Sequence, residues 1–288
     1  MALNLMGQCD ELAVLSGEAM DVDECTTLET NKENMHKLLT FWCAQMQLAL
    51  IFDDMDVACE MTLKIWKHRP SQTERTSFLN ATFETFFYLC AMHLWKEKKR
   101  RKYRRKARKH LRELELWLKN KALNVQQKVL LVRAEEKAAT KGHSSDEVRS
   151  LFDESITIAQ RTGFPQDAAL AAERAGTYTL NVGDYESGAD YLARAQTFYK
   201  IWGAQGKVDH MTDKHTFLAD RPQMKSHWSS FRGQARFSEI QPNSDRSFNP
   251  FKTSQRKSVY GMGLRRESFT IDLDDLDLDE SHELPPIS

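Results

Sequence analysis

The sequence predicts an all-α protein, a stack of antiparallel helix hairpins followed by a disordered C-terminal tail. Three observations carry this. The 288 residues include only 12 Gly and 7 Pro, most at a few turns or beyond residue 220, so long stretches lack the residues that punctuate β structure. Apolar residues recur at steps of three and four along successive segments. Between Asp167 and Val208, two blocks rich in small residues flank the turn Asn181-Val182-Gly183-Asp184-Tyr185.

Residues 1–34 are acidic, with Leu12, Leu15, Met20 and Leu28 too loosely spaced to mark more than one short helix. They form an irregular segment ahead of the helical domain, residues 35–213. From Met35 to Trp66 the apolar series Leu38, Leu39, Trp42, Met46, Ala49, Leu50 and then Val57, Met61, Ile65 breaks at Asp53-Asp54, which predicts a first hairpin. Pro70 ends it, since proline also disfavours helix at Arg69. A second hairpin spans about Gln72 to Lys119, with Phe78, Phe83, Phe86, Phe87, Leu89, Leu94 and Trp95 in its first arm. Its second arm keeps a four-three rhythm through Tyr103, Ala107, Leu111, Leu114 and Leu118, so one face packs and the other stays wet. A third pair, Val125 to Lys141 and Ser145 to Thr162, turns at Gly142-His143, with Ser145 as helix start and Gly163 as stop.

The fourth pair is the most specific. Gly176, Gly188 and Ala195 stand 12 and 7 residues apart, the steps at which tetratricopeptide-like repeats of about 34 residues put small side chains where helices touch. Gly176, Gly188, Ala195, Trp202 and Gly203 are therefore the expected helix-packing positions. Gly183 supplies the positive φ of the turn. A hairpin of this kind buries its apolar face only against a neighbour, so the pattern points to contact rather than chemistry. Residues 214–288 change texture, with Ser, Arg, Asn, Pro and isolated aromatics before an acidic end. Too little clustered apolar surface is present there to offset chain entropy of roughly 1–2 kcal/mol per residue.

Charge and cysteine content exclude several classes. Forty-one Lys+Arg balance 41 Asp+Glu, yet the cations crowd near residue 100 and the carboxylates at the end. Cys9, Cys25, Cys43, Cys59 and Cys90 are odd in number and without C-x-x-C spacing, as expected of reduced, mostly buried thiols. No charged lead with an apolar run opens the chain, and the longest nearly apolar run, Phe86 to Trp95, is about half a membrane span. A cytoplasmic protein is expected, or a nuclear one if the basic run 98–106 acts as an import signal.

Several phrases resemble a known family. Val129-Leu130-Leu131-Val132-Arg133-Ala134-Glu135, Leu151-Phe152-Asp153-Glu154-Ser155-Ile156 with Ala159, Gly163-Phe164, Ala168 to Glu173, and Tyr199 with Trp202-Gly203-Ala204 and Lys207 are similar to the helical region behind the AAA-type ATPase module of large multi-sensor signalling kinases. The similarity is specific over 125–208, weaker over 35–117 and absent from the tail. Ser155 stands where that family usually has alanine. The resemblance implies a tetratricopeptide-like scaffold in a signalling context. It carries over no kinase or ATPase activity, because those modules are missing from these residues.

No constellation for catalysis stands out, and no cofactor is expected. Gly206-Lys207 lacks the phosphate-loop frame, with Ile201 at the first glycine position and Val208 in place of Ser or Thr. Gly261-Met262-Gly263 lacks a third glycine. The nine histidines have no metal spacing, and Asp53-Asp54 and Glu135-Glu136 read as solvated charge. Tyr178, Tyr185, Tyr191, Phe198, Tyr199 and Trp202 read as core rather than a ligand cage.

The run Lys98, Lys99, Arg100, Arg101, Lys102, Arg104, Arg105, Lys106 admits three readings: a solvated helix face, an import signal or anionic-partner site, or contact with nucleic acid or anionic lipid. The acidic end Asp272 to Glu283 is a further, intramolecular, partner for it. Arg265-Arg266-Glu267-Ser268 and Arg256-Lys257-Ser258 mark Ser268 and Ser258 as candidate phosphosites, and Asn249-Pro250-Phe251 resembles an adaptor-binding turn. The sequence therefore points to a non-catalytic scaffold whose partners are proteins or neighbouring signalling domains. The alternatives are a fragment of a longer kinase/ATPase protein and a basic module for nucleic acid or membrane.

Overall fold

Ten α-helices account for most of what the computed structural model describes, residues 1–9, 11–15, 35–68 and 79–219. All of these belong to one compact unit, Met1–Arg236; the second, Phe237–Ser288, lies outside the described residues. So do Pro70, Asn249-Pro250-Phe251, Ser258, Gly261-Met262-Gly263 and Ser268. The helices are α1 (Ala2–Met6), α2 (Met35–Ile51), α3 (Met55–His68), α4 (Leu79–Lys98), α5 (Arg101–Lys119), α6 (Gln126–Ala139), α7 (Ser145–Thr162), α8 (Pro165–Asn181), α9 (Tyr185–Trp202) and α10 (Gln205–Lys214). Short 3-10 turns follow at Leu123–Val125 and Thr216–Leu218, and no strand occurs among the described residues.

Local chemistry sets several boundaries. Helix α7 starts at Ser145 as expected, and Ser144 before it is the cap: its hydroxyl accepts from the Glu147 amide at 3.1 Å, and its backbone stays extended, at ψ 153. Gly163 ends α7 at φ 83, Pro165 opens α8, and Asp184 caps α9 by accepting from the Ser187 amide at 3.1 Å. The α2–α3 turn holds Asp53 at φ 63, with Asp54 accepting from the Val57 amide at 3.1 Å.

Packing follows chain order, with a second pattern laid over it. Each of α2 to α9 packs on the next, and alternate helices also touch: α2 on α4, α4 on α6, α6 on α8. Phe152, Ile156, Leu114 and Leu192 are completely enclosed between them. Burial of each side chain of this size stabilises by about 1.5–3 kcal/mol. The α8–α9 contact is the tightest. A Cβ on Gly176 would stand 2.7 Å from Leu192 Cγ and 3.1 Å from the Gly188 carbonyl, and one on Gly188 would stand 2.6 Å from Leu180 Cδ2. Ser155 is buried and donates to the Gln127 carbonyl at 2.7 Å, tying α7 to the first turn of α6.

The described N-terminal residues hold one short helix, α1. Helix α1 packs on α10, and Leu5 and Leu15 join the core. Asn4 donates to the Val14 carbonyl at 2.7 Å, while Gln45 of α2 accepts from the Leu15 amide at 2.9 Å and donates to the Ala13 carbonyl at 2.7 Å. Residues 1–15 thus join α2 to α10. The approach needs glycine: a Cβ on Gly206 would lie 2.7 Å from the Asn4 carbonyl oxygen and 2.8 Å from the Gly7 amide nitrogen.

Candidate functional site

Alternate helices α4, α6 and α8 share a face, and a small depression opens on it. Thr82, Thr85 and Phe86 come from α4, Gln127, Lys128 and Leu131 from α6, and Asp167 and Leu170 from α8. Thr82, Gln127, Lys128 and Asp167 lie in the first four residues of their helices, with Phe86, Leu131 and Leu170 one turn further on, so polar groups gather at one end and apolar ones behind. Gln127 donates from Nε2 to the Asn124 carbonyl at 3.0 Å and to Asp167 Oδ2 at 2.9 Å, and Lys128 ion-pairs with the same carboxylate. The Lys128 ammonium also lies 5.6 Å from the centre of the Phe164 ring. Gln127 Oε1 is buried without a hydrogen-bond partner. Thr85 donates to the Ala81 carbonyl at 2.9 Å, which leaves its oxygen lone pairs unused by that bond.

Further along the same helices lies a second polar cluster. Arg174 donates to both oxygens of Glu135, at 2.5 and 3.0 Å. Next to it, Glu173 accepts from Lys207 Nζ and from the Tyr199 hydroxyl, both at 2.7 Å, and the Lys207 side chain is completely buried. Asp53, in the α2–α3 turn, ion-pairs with Lys214 of α10. Burial alone would raise the Glu135 carboxyl, but the Arg174 charge and hydrogen bonds hold it below the ordinary carboxylate range. Asp53 is lowered in the same way: burial works against it, and Lys214, then Lys207 and Arg174, outweigh burial. Burial, with the Glu173 charge added, pushes the Tyr199 phenol well up. Each carboxylate of the cluster is thus held by a cation.

This corrects the reading of Glu135 as solvated charge, whereas Asp53 stays exposed although it is paired. Glu135 is buried, because α6 is covered by α5, α7 and α8 together. Asp53 is held by α10, which the local sequence around Asp53-Asp54 does not announce. Glu173, Arg174 and Lys207 went unnoticed as a cluster. The available signal was their setting: Glu173-Arg174 sits inside Ala168–Ala175, a run of small residues suited to close helix contact, and Lys207 sits between Gly206 and Val208.

The remaining sequence-derived positions divide. Gly176, Gly188 and Ala195 are buried on the α8–α9 contact. Gly203 is different: nothing lies within 4 Å of where its Cβ would stand, and its φ of 88 makes it the left-handed stop of α9 rather than a packing residue. Trp202 is half-buried, its ring 6.3 Å from that of Tyr199. Tyr191, Phe198 and Tyr199 are core, whereas Tyr185 is 73 % exposed. The Tyr191 hydroxyl donates to Asp153 at 2.9 Å, and burial plus that carboxylate push its phenol up to about 12.

Of the basic run, Lys98 ends α4, Lys99 takes φ 52, and Arg100 leads into α5. Only Arg104 is half-buried, its guanidinium 4.9 Å from the centre of the Trp95 ring; the others are exposed, with the Lys106 ammonium 4.4 Å from the Trp66 ring. Among the described residues no group of three or more His, Cys, Asp or Glu is arranged to hold a metal ion, and no helix is long and apolar enough to cross a membrane.

Comparison with known proteins leaves the geometry to speak for itself. No family model, curated protein or solved structure matches this chain.

Proposed function

We propose that the protein is a non-catalytic interaction scaffold of a signal-transduction system, its helices forming a tetratricopeptide-like stack of antiparallel hairpins. The observation that carries this reading is the serial contact of alternate helices, α2 on α4, α4 on α6 and α6 on α8, laid over the contacts between neighbours. Stacked hairpins produce that double pattern, because the first helix of each pair meets the first helix of the next. In such a stack α4, α6 and α8 share a face, whose depression is lined by half-buried Thr82 and Asp167 with Lys128 and Leu170 buried behind them. A partner segment bound along that face would be recognised through contacts spread over several helices. The signalling context rests on the resemblance of residues 125–208 to the helical region of multi-sensor kinases. The charge cluster agrees with a structural role for its carboxylates, since each is engaged by a cation.

Affinity capture with three forms of the full chain tests this. Thr82→Trp fills the depression and lowers recovery of the wild-type partner set about ten-fold or more, a loss typical of blocking a central contact. Glu154→Trp, on the exposed side of α7, leaves recovery unchanged. Equal recovery by both variants, with unaltered melting curves, removes the α4–α6–α8 face from the function.

A further inference from the structure

Helix α5 carries a stripe of arginines that the fold does not use. Arg101, Arg105, Arg108 and Arg112 recur at steps of four, three and four, so they fall on one face, opposite the buried Tyr103, Ala107, His110, Leu111 and Leu114. The stripe is roughly 16 Å long at 1.5 Å per residue. All four are exposed, and among the described residues none forms an ion pair. The arrangement is locally unfavourable. The first turn of α5 has no acidic residue and no side-chain cap, so its cations sit against the positive end of the helix dipole. A sequence that breaks a local rule without compensation inside the fold directs attention to something outside it.

The stripe does not end in charge. Leu116, four residues beyond Arg112, continues the same face and is 50 % exposed, and Leu123, in the 3-10 turn just after α5, is 67 % exposed. The aromatic rings nearby are withdrawn: Tyr103 is buried and Trp95 is covered by Arg104. Nucleic-acid single strands are gripped by exposed rings on which bases stack, and duplexes chiefly through their phosphates. Neither of these main contacts draws on two exposed leucines. A bilayer bearing anionic headgroups offers both halves: phosphates for the guanidinium groups and acyl chains for the leucines.

We propose that the α5 face is a peripheral docking surface for an anionic membrane, with the arginine stripe on the headgroup phosphates and Leu116 and Leu123 entering the interface. Helix α5 contributes nothing to the depression on α4, α6 and α8, so the surface is independent of the partner-binding face and the two can be occupied together.

Vesicle flotation with the full 288-residue chain is the test. Vesicles of phosphatidylcholine with about a third phosphatidylserine retain the protein at least about 30-fold more strongly than pure phosphatidylcholine, a ratio that falls with added salt. Reversing Arg101, Arg105, Arg108 and Arg112 to Glu cuts partitioning about 100-fold or more. Leu116→Ser with Leu123→Ser cuts it about ten-fold while leaving any binding of duplex DNA or RNA unchanged. Circular dichroism confirms that both variants fold, as expected for exposed positions. Equal retention by neutral and anionic vesicles overturns the proposal. So does a leucine variant that binds vesicles like wild type, and so does tighter binding to duplex nucleic acid than to vesicles, which makes the stripe a phosphate-backbone reader instead.

Discussion

Arg174 and Arg108 are the same side chain in opposite circumstances. Arg174, on α8, grips both oxygens of Glu135 beside the Glu173–Lys207–Tyr199 group, whereas Arg108, on the outer face of α5, has no ion-pair partner among the described residues. Charge inside this protein is matched residue by residue, because an unpaired ion between packed helices is expensive. Arg101, Arg105, Arg108 and Arg112 on the outer face of α5 form no ion pair among the described residues, because water supports such charge at little cost. The difference separates cations that hold helices in place from cations available to a partner, and it can be broken or sharpened in graded steps.

The largest effect is expected at the buried pair. Arg174→Leu strands the Glu135 carboxylate and destabilises by about 3 kcal/mol in urea unfolding at pH 7, the lower end for a buried pair because part of the Arg174 side chain still meets solvent. The pH dependence fixes the sign. In the wild type Glu135 has a depressed pKa, so its contribution is fully present above the unfolded value of about 4.3 and is lost as pH falls through the lower folded value. In Arg174→Leu the carboxyl no longer has its cation and takes up a proton more readily than in the unfolded chain. The gap between variant and wild type therefore narrows as pH drops from 7 toward 4. A gap that does not change with pH means that Glu135 is not the group left unpaired.

Overpacking the α8–α9 contact comes next. Gly176→Leu drives carbon into Leu192 and the Gly188 carbonyl and costs about 1–3 kcal/mol, read as a fall in melting temperature. Gly206→Ala costs about 1–2 kcal/mol, since its neighbours at 2.7 and 2.8 Å are the backbone of Asn4 and Gly7 rather than a flexible side chain. Its distinguishing readout is faster amide hydrogen exchange at Leu5 and Gly7, whose amides bond to the Met1 and Asn4 carbonyls, as α1 leaves α10. The smallest effect belongs to the open cations: Arg105→Gln with Arg108→Gln shifts stability by no more than about 0.5 kcal/mol, in the direction of relieved like-charge repulsion. A loss of several times that amount would place these arginines among the structural charges and erase the contrast with Arg174.

Much of the helical framework was legible before any coordinates. The four-three rhythm of Tyr103, Ala107, Leu111 and Leu114 marks the buried face of α5, and Gly163 and Gly183 mark turns at φ 83 and 91. These signals are local, written within one or two helical turns. Helix α10 is hard to read from the sequence because it is short, ten residues from Gln205 to Lys214, and Gly206-Lys207 near its start reads as a failed phosphate loop. Gly203 was assigned to packing because a left-handed helix stop and a close helix contact select the same residue.

The sequence by itself determined that the described chain is helical, where most of its helices break, and which face of each is apolar, since all three depend on spacing and on backbone preferences of neighbouring residues. Only the tertiary structure decided which charges are interior. Glu135 and Arg174 are 39 residues apart, and Glu173 and Lys207 are 34 apart. Charged residues on any single helix look alike until the helices that cover them are in place, and desolvation acts on the assembled surroundings, not on the local pattern.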